Sequence, residues 1–364
     1  MMADNITTGE AGAAADTTAI QDATAVRVAA AQARTSASGP VIEARGLHVE
    51  FRGRGRDGGK AKAVDGVDLA LGRGEILALV GESGCGKTTL ARTLLGLEKP
   101  SAGSVLVDGE PLKYSGRSLK AYRRRVQLVL QDPSGALNPR HTVYEAVAEG
   151  LRIHGLAHDE ESKVANALSH AGLRPPERFF QRYPHELSGG QRQRVVIAGA
   201  LVLDPDVIIA DEPVSSLDAS VRGEILALLL RLREELGLSL LVVTHDLGLA
   251  WNIADRVAVM YLGRVVEQGP TEQLLSDPEH PYSRALLSVV PEVERMPAIV
   301  LKGETPDPTS IPGGCRFNPR CPALASGEAA AAGVADKCRT ELLEVLPIVQ
   351  GHSAACHLAA ARAR

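Results

Sequence analysis

Gly81-Glu82-Ser83-Gly84-Cys85-Gly86-Lys87-Thr88-Thr89 follows directly on the apolar run Ile76-Leu-Ala-Leu-Val80 and opens a segment, Thr88 to Leu97, that reads as a helix. Its first eight residues fit G-x-x-x-x-G-K-[ST]. The glycines let backbone N–H groups turn inward around phosphate oxygens, and the helix start adds the positive end of its dipole. Lys87 then reaches the β- and γ-phosphates, and the Thr88 hydroxyl is placed for Mg²⁺. Glycine is 36 of 364 residues, so four fixed positions can coincide by chance. A buried strand before and a helix after are what the mechanism requires, and both are present. The stretch predicts a phosphate-binding loop. Cys85 reads as a small residue without a redox role. The alternative, a thiol acidified by the loop's positive surroundings and open to oxidants, stands beside it.

Moving outward, Val207-Ile-Ile-Ala-Asp211-Glu212 places two acids at the C-terminal end of another apolar strand. In an open parallel sheet that edge is where ligands bind. Asp211 suits Mg²⁺, and Glu212 can polarise an attacking water. Leu187-Ser188-Gly189-Gly190-Gln191-Arg192-Gln193 begins a further helix, with Ser188 as N-cap and free glycine amides behind it. That is a second anion-binding helix terminus. Buried strands are also predicted at Val126 to Leu130 and Leu238 to Val243. Thr142 to Gly172 reads as largely helical, and Ala219 to Leu236 as an amphipathic helix. Near the start, Val41 to Arg45 and Leu47 to Phe51 read as strand segments. A glycine-rich loop carrying Arg52, Arg54, Arg56, Lys60 and Lys62 follows them, a solvated hairpin tip. Alternating helices and fully apolar strands predict an α/β fold around a mostly parallel sheet, with a helical insertion in its middle.

The 364 residues suggest about two domains. With 40 basic against 44 acidic residues, the balance gives no sign of nucleic-acid binding. No apolar run approaches the ~20 residues that span a bilayer, and the N-terminus lacks signal-peptide features. Residues 1–40, rich in Ala and Thr, are expected to be a disordered arm. Of five cysteines, Cys315, Cys321, Cys338 and Cys356 crowd the end of the chain. Four soft donors suit a structural zinc or an iron–sulfur cluster, and free thiols packed as small hydrophobes are the third reading. Their spacing lacks the paired C-x₂₋₄-C knuckles of zinc ribbons.

Two phosphate-binding helix ends in one chain make sense if the second serves a nucleotide held by another subunit. With that, the sequence resembles an ATP-binding cassette (ABC) ATPase. Gly81 to Thr88 match the Walker A motif, Gln131 the Q-loop and Leu187 to Gln191 the signature. Val207 to Glu212 match Walker B, Ser216-Leu217-Asp218 the D-loop, and His245 in Val243-Thr-His-Asp246 the switch histidine. The resemblance implies a P-loop ATPase over residues 41–290. That unit would have a mostly parallel core sheet, an antiparallel β subdomain and a helical subdomain at about 132–204, followed by a small irregular Cys-rich segment at 291–364. It also implies two ATPases sandwiching two ATPs. Ser188, Gly189, Gly190 and Gln191 of one would then face the γ-phosphate held by the other. His245 would hold that phosphate and the attacking water, and Glu212 would activate the water. Gln131 would approach Mg²⁺ together with Thr88 and Asp211, and an aromatic upstream of the loop, here Phe51, would stack on adenine. One departure is Gly199, where relatives usually carry arginine.

Gln131-Asp-Pro-Ser-Gly-Ala-Leu-Asn-Pro-Arg140, Arg182-Tyr-Pro-His-Glu186, His280-Pro-Tyr-Ser-Arg-Ala-Leu287 and Gly314-Cys-Arg-Phe-Asn-Pro-Arg-Cys-Pro322 narrow the resemblance to dipeptide/oligopeptide importer ATPases, F-type subunit. That implies two membrane permease subunits, a second ABC ATPase and an extracytoplasmic peptide-binding protein, with the chain at the cytoplasmic face of the membrane. A coupling helix would dock near Gln131 and Thr142 to Gly172. Related machinery carries nickel, oligosaccharides or glutathione; a soluble ABC ATPase and an exporter ATPase are the alternatives from other classes. In such importers the tail cysteines hold a 4Fe–4S cluster, with zinc or no metal as the alternatives. The Ala-rich insertion Ala323 to Asp336 lengthens the second gap, and His352 and His357 flank Cys356 as possible substitute ligands.

Overall fold

A computed structural model describes residues 39–52, 60–290, 297–349 and 351–363. The expected N-terminal arm, up to residue 38, and the loop arginines Arg54 and Arg56 lie outside the described residues.

The chain opens with a hairpin, β1 (Ile42–Arg52) and β2 (Lys60–Leu71), in register from Ile42↔Leu71 to Arg52↔Lys60. The two strand segments expected here are one strand with register shifts near Ala44–Leu47, and Lys60 and Lys62 belong to β2 rather than to a loop. Next come β3 (Ile76–Val80), helix α1 (Lys87–Leu94), β4 (Ala102–Val107), the short β5 (Glu110–Pro111), α2 (Gly116–Arg125) and β6 (Val126–Val129). Three helices then pack together: α3 (Val143–His154), α4 (Glu160–His170) and α5 (Gly189–Leu201). Beyond them run β7 (Val207–Asp211), α6 (Ala219–Leu236), β8 (Ser239–Thr244), β9 (Arg256–Tyr261) and β10 (Arg264–Pro270).

Two sheets result. An antiparallel sheet has the order β2-β1-β4-β5, and the larger sheet contains β10-β9-β3-β8-β7-β6, parallel from β9 to β6. β3, β7 and β8 are buried on both faces, which is why they read as unbroken apolar runs. β6, expected to be buried, instead lies at the sheet edge, with Gln127 and Leu128 half-buried and Leu130 exposed. Successive strand residues point to opposite sides. Ile208 and Ala210 accordingly join Val147, Leu168 and Leu228 of the helical layer, while Val207 and Ile209 join Val49, Leu69 and Leu90 beneath the antiparallel sheet. Among the described residues no helix is long and apolar enough to cross a membrane.

The C-terminal segment is more regular than its sequence suggests. β11 (Leu346–Val349) and β12 (His352–Ala354) extend the large sheet, with β12 antiparallel to β10. The Ala-rich insertion folds into short helical turns at Pro322–Ala325 and Glu328–Ala331, and these return Cys338 to the side of Cys315, whose N–H donates to the Cys338 carbonyl at 2.9 Å.

Candidate active site

β3 ends at Val80 and the chain turns at Gly81 to enter the loop. A Cβ at Gly81 would collide with the Met260 carbonyl of β9, and one at Gly86 (φ 109°) with the Ala63 carbonyl of β2. These glycines therefore let the loop lie flush against two strands, in addition to freeing its amides. Lys87 is buried, with Nζ donating to the carbonyls of Gly81 at 2.7 Å and Glu82 at 2.9 Å. The loop thus holds its ammonium in place before any phosphate arrives. Cys85 is 2% exposed, and burial pushes its thiol pKa up despite Lys87 nearby. The acidified, accessible thiol is thereby corrected: desolvation outweighs the loop's positive charge.

The loop forms one wall of a cleft of about 690 Å³ that is also lined by Thr88, Thr89, Gln131, Glu212 and His245. The Thr88 hydroxyl donates to Asp211 Oδ1 at 3.4 Å. Burial pushes the Asp211 carboxyl above its ordinary range, against that hydrogen bond. A hydroxyl and a carboxylate oxygen are the hard donors Mg²⁺ takes, alongside phosphate oxygens. Glu212, at φ 48°, is fixed by its N–H to the Val243 carbonyl at 2.8 Å. Its carboxylate accepts from Gln131 Nε2 at 3.0 Å, and His245 Nδ1 lies 3.1 Å away. Two side chains from separate parts of the sequence therefore meet at the Glu212 carboxylate beside the phosphate loop.

Other predicted residues lie elsewhere. Ser188 caps α5, accepting from the Gln191 N–H at 3.2 Å, and Asp218 caps α6, accepting from Val221 N–H at 3.0 Å. Neither they nor Gly189, Gly190 and Gln191 line the cleft. Phe51 does not line it either. It is 43% exposed and pairs across the hairpin with Ala61, which does line it. Ala61, Lys62, Ala63, Leu286 and Pro308 also line the cleft.

Sequence reading missed the tail's part in this site. Arg320, Thr305 and Tyr282 all bond to Glu82 of the phosphate loop. Asn318-Pro-Arg320-Cys was visible only as a phrase of resemblance, because no spacing rule ties it to a loop over 230 residues earlier.

The tail cysteines also converge: Cys315, Cys321, Cys338 and Cys356 line one small apolar pocket with His280 and His357. Burial raises all four thiol pKa values, Cys315 to about 12 and Cys356 to about 11. Backbone N–H groups of Ala323 and Leu324 act on Cys321, and those of Leu358 and Ala359 on Cys356. As arranged, no group of three or more His, Cys, Asp or Glu among the described residues could hold a metal ion. His352 is corrected as a substitute ligand: its Nε2 lies 2.7 Å from Glu267, both fully buried. His357 lines the pocket, but its Nε2 is 2.9 Å from the Glu341 carbonyl.

A phosphate loop at the C-terminal edge of a parallel sheet, facing a strand-end carboxylate pair, defines a P-loop nucleoside triphosphatase. The chain belongs to the ATP-binding subunits of ABC transporters. Residues 64–215 match the family described as ABC transporter, and residues 266–326 match the oligopeptide/dipeptide transporter C-terminal region. The chain is 48% identical over 268 residues to the dipeptide transport ATP-binding protein DppF of Haemophilus influenzae, covering 72% of this chain and 81% of that one. It is 43% identical over 309 residues to the oligopeptide transport ATP-binding protein AppF of Bacillus subtilis, covering 82% and 90%. Among solved structures, cbiO1 of Clostridium perfringens, part of the transporter complex cbiONQ, matches with TM-score 0.60 and 34% identity over 66% of this chain and 92% of that one. The cassette MJ0796, dimeric with ADP and Pi after hydrolysis, matches with TM-score 0.56 and 30% identity over 63% and 98%.

Proposed function

We propose that this chain hydrolyses ATP to drive import of di- or oligopeptides through a membrane ABC transporter, as one of two cassettes at the cytoplasmic face. The convergence of Gln131, Glu212 and His245 beside the phosphate loop carries the chemistry. Glu212 takes a proton from the attacking water, and His245 and Gln131 hold its carboxylate in line. Thr88 and Asp211 would hold Mg²⁺, which neutralises phosphate charge. Lys87 and the loop amides bind the β- and γ-phosphates. Placement of Ser188 to Gln191 outside the cleft fits a role toward a second subunit's nucleotide, and so does the dimeric relative. The names of the curated relatives support peptide as cargo. Two permease subunits and an extracytoplasmic peptide-binding protein complete the assembly.

Glu212→Gln is expected to keep nucleotide binding and slow turnover by about 10²–10⁴-fold, the usual worth of general-base catalysis. Wild-type turnover of the purified transporter carrying this change would remove Glu212 as the base. Unchanged uptake of labelled dipeptide in a deletion strain without a redundant importer would remove peptide as the cargo.

The tail cysteines are proposed to hold a 4Fe–4S cluster. Four thiols sharing one apolar pocket, two of them receiving backbone N–H groups, make a donor set of the kind such clusters use. As arranged, the four thiols do not form a metal-holding group, so ligation requires them to move. Anaerobically purified protein should be brown and lose its colour in Cys315→Ser or Cys321→Ser. Colourless protein with about one zinc per chain would replace the cluster by zinc, and metal-free protein would leave packed thiols.

A further inference from the structure

The first variable position of the phosphate loop is an acid. Glu82 lines the cleft that is to receive a triphosphate, so its carboxylate is set among groups selected to attract negative charge. An uncompensated carboxylate there would repel the nucleotide and compete for Lys87, whose Nζ already touches the Glu82 carbonyl. The tail supplies the compensation. Arg320 grips Glu82 with both terminal nitrogens, Nη1 to Oε2 at 2.8 Å and Nη2 to Oε1 at 3.2 Å. The Thr305 hydroxyl donates to Oε2 at 2.7 Å, and the Glu82 N–H donates to Tyr282 Oη at 2.9 Å. The paired geometry is the strong form of guanidinium–carboxylate contact. Arg320 is itself fixed: its side chain is 9% exposed and packs against the Tyr261 ring at the end of β9. Burial alone would raise the Glu82 pKa, but the hydrogen bonds from Arg320 and Thr305 prevail and hold it below the ordinary carboxylate range.

We infer that Arg320 is a positioning residue for ATP binding, which neutralises Glu82 and anchors the phosphate loop from the C-terminal segment. Thr305 shares the anchoring. Arg320 touches no phosphate in this scheme; it acts through Glu82 and keeps Lys87 available. The inference rests on the cleft binding ATP, as proposed above.

The test is Mg-ATP binding to the full chain, read as displacement of a fluorescent ATP analogue, with Lys87→Ala as the reference for a lost site. Arg320→Gln should weaken binding about tenfold, equivalent to about 1.4 kcal/mol. Arg320→Lys keeps the charge but not the fork, and should fall between. The double variant Glu82→Gln/Arg320→Gln should bind at least about threefold tighter than Arg320→Gln alone, because the charge that needed neutralising is gone. A merely structural role would not yield that rescue. In the assembled transporter, KM for ATP should rise by more than kcat falls. Wild-type affinity in Arg320→Gln, or a double variant no tighter than the single, overturns the inference. If Arg320→Gln does not fold, a double variant binding as poorly as Lys87→Ala overturns it equally. Absence of Lys87-dependent binding in the wild type would instead overturn the ATPase reading itself.

Discussion

Glu212, Gln131 and His245 come from a strand end, the segment after β6 and the turn after β8, and they meet only because β6, β7 and β8 lie side by side. Each was legible as a residue type in a motif. Their mutual contacts were not, since contact depends on strand order, which no local pattern encodes. Cys85 shows the opposite failure. Its neighbours in sequence suggest a reactive thiol, while its neighbours in space remove it from water. Iodoacetamide should therefore modify Cys85 at least about tenfold more slowly in the native chain than in the denatured chain, as mass spectrometry of its peptide would report. Equal rates would show that the loop opens readily.

Within α5, two glycines have opposite expected effects. A Cβ on Gly190 would sit 2.6 Å from Val221 Cγ1 on α6, so the helices cross where only hydrogen fits. Gly190→Ala should cost about 1–3 kcal/mol through overpacking. A Cβ on Gly199 would meet nothing nearer than the Ala146 carbonyl at 3.9 Å. Gly199→Ala should stabilise by about 0.5–1 kcal/mol, the helix-propensity difference. Thermal unfolding of both variants decides the pair, and the same sign for both would contradict this packing. The helix itself was legible from its cap and apolar content. The packing of Gly190 was not, because it depends on the approach of a helix that begins some thirty residues later.

Taken whole, the molecule joins its tail to its nucleotide-binding body at several places, among them these three. β12 pairs with β10; Arg316, buried, bonds to Asp65 of β2 and to the Leu262 carbonyl; and Arg320 holds Glu82. The tail read as irregular because its prolines, glycines and short strands offer no sustained period. Its order comes from docking onto a sheet already formed. A chain stopped after residue 290 leaves Asp65 without its arginine and β10 with an open edge. Asp65 keeps His48 Nδ1 at 2.8 Å and Lys62 Nζ at 3.6 Å, so losing the arginine costs less than the about 3–5 kcal/mol of a buried charge left alone, and the open edge adds to it. The truncated chain is therefore expected to melt several degrees lower and to scatter light on heating, measurable in one thermal scan. An unchanged melting temperature would show the tail to be an independent appendage.

The place of β3 in the sheet also sets a clock. Its five apolar residues lie between β8 and β9, both of which are synthesised roughly 160 residues or more after Val80. At roughly 5–20 residues per second a ribosome takes on the order of 10–30 s to cover that interval. Throughout it, the nascent strand bearing the phosphate loop has no neighbour to bond with and an adhesive surface on each side. The part of the chain most recognisable at birth is thus among the last to become functional, and nascent-chain chaperones should bind it before anything else does.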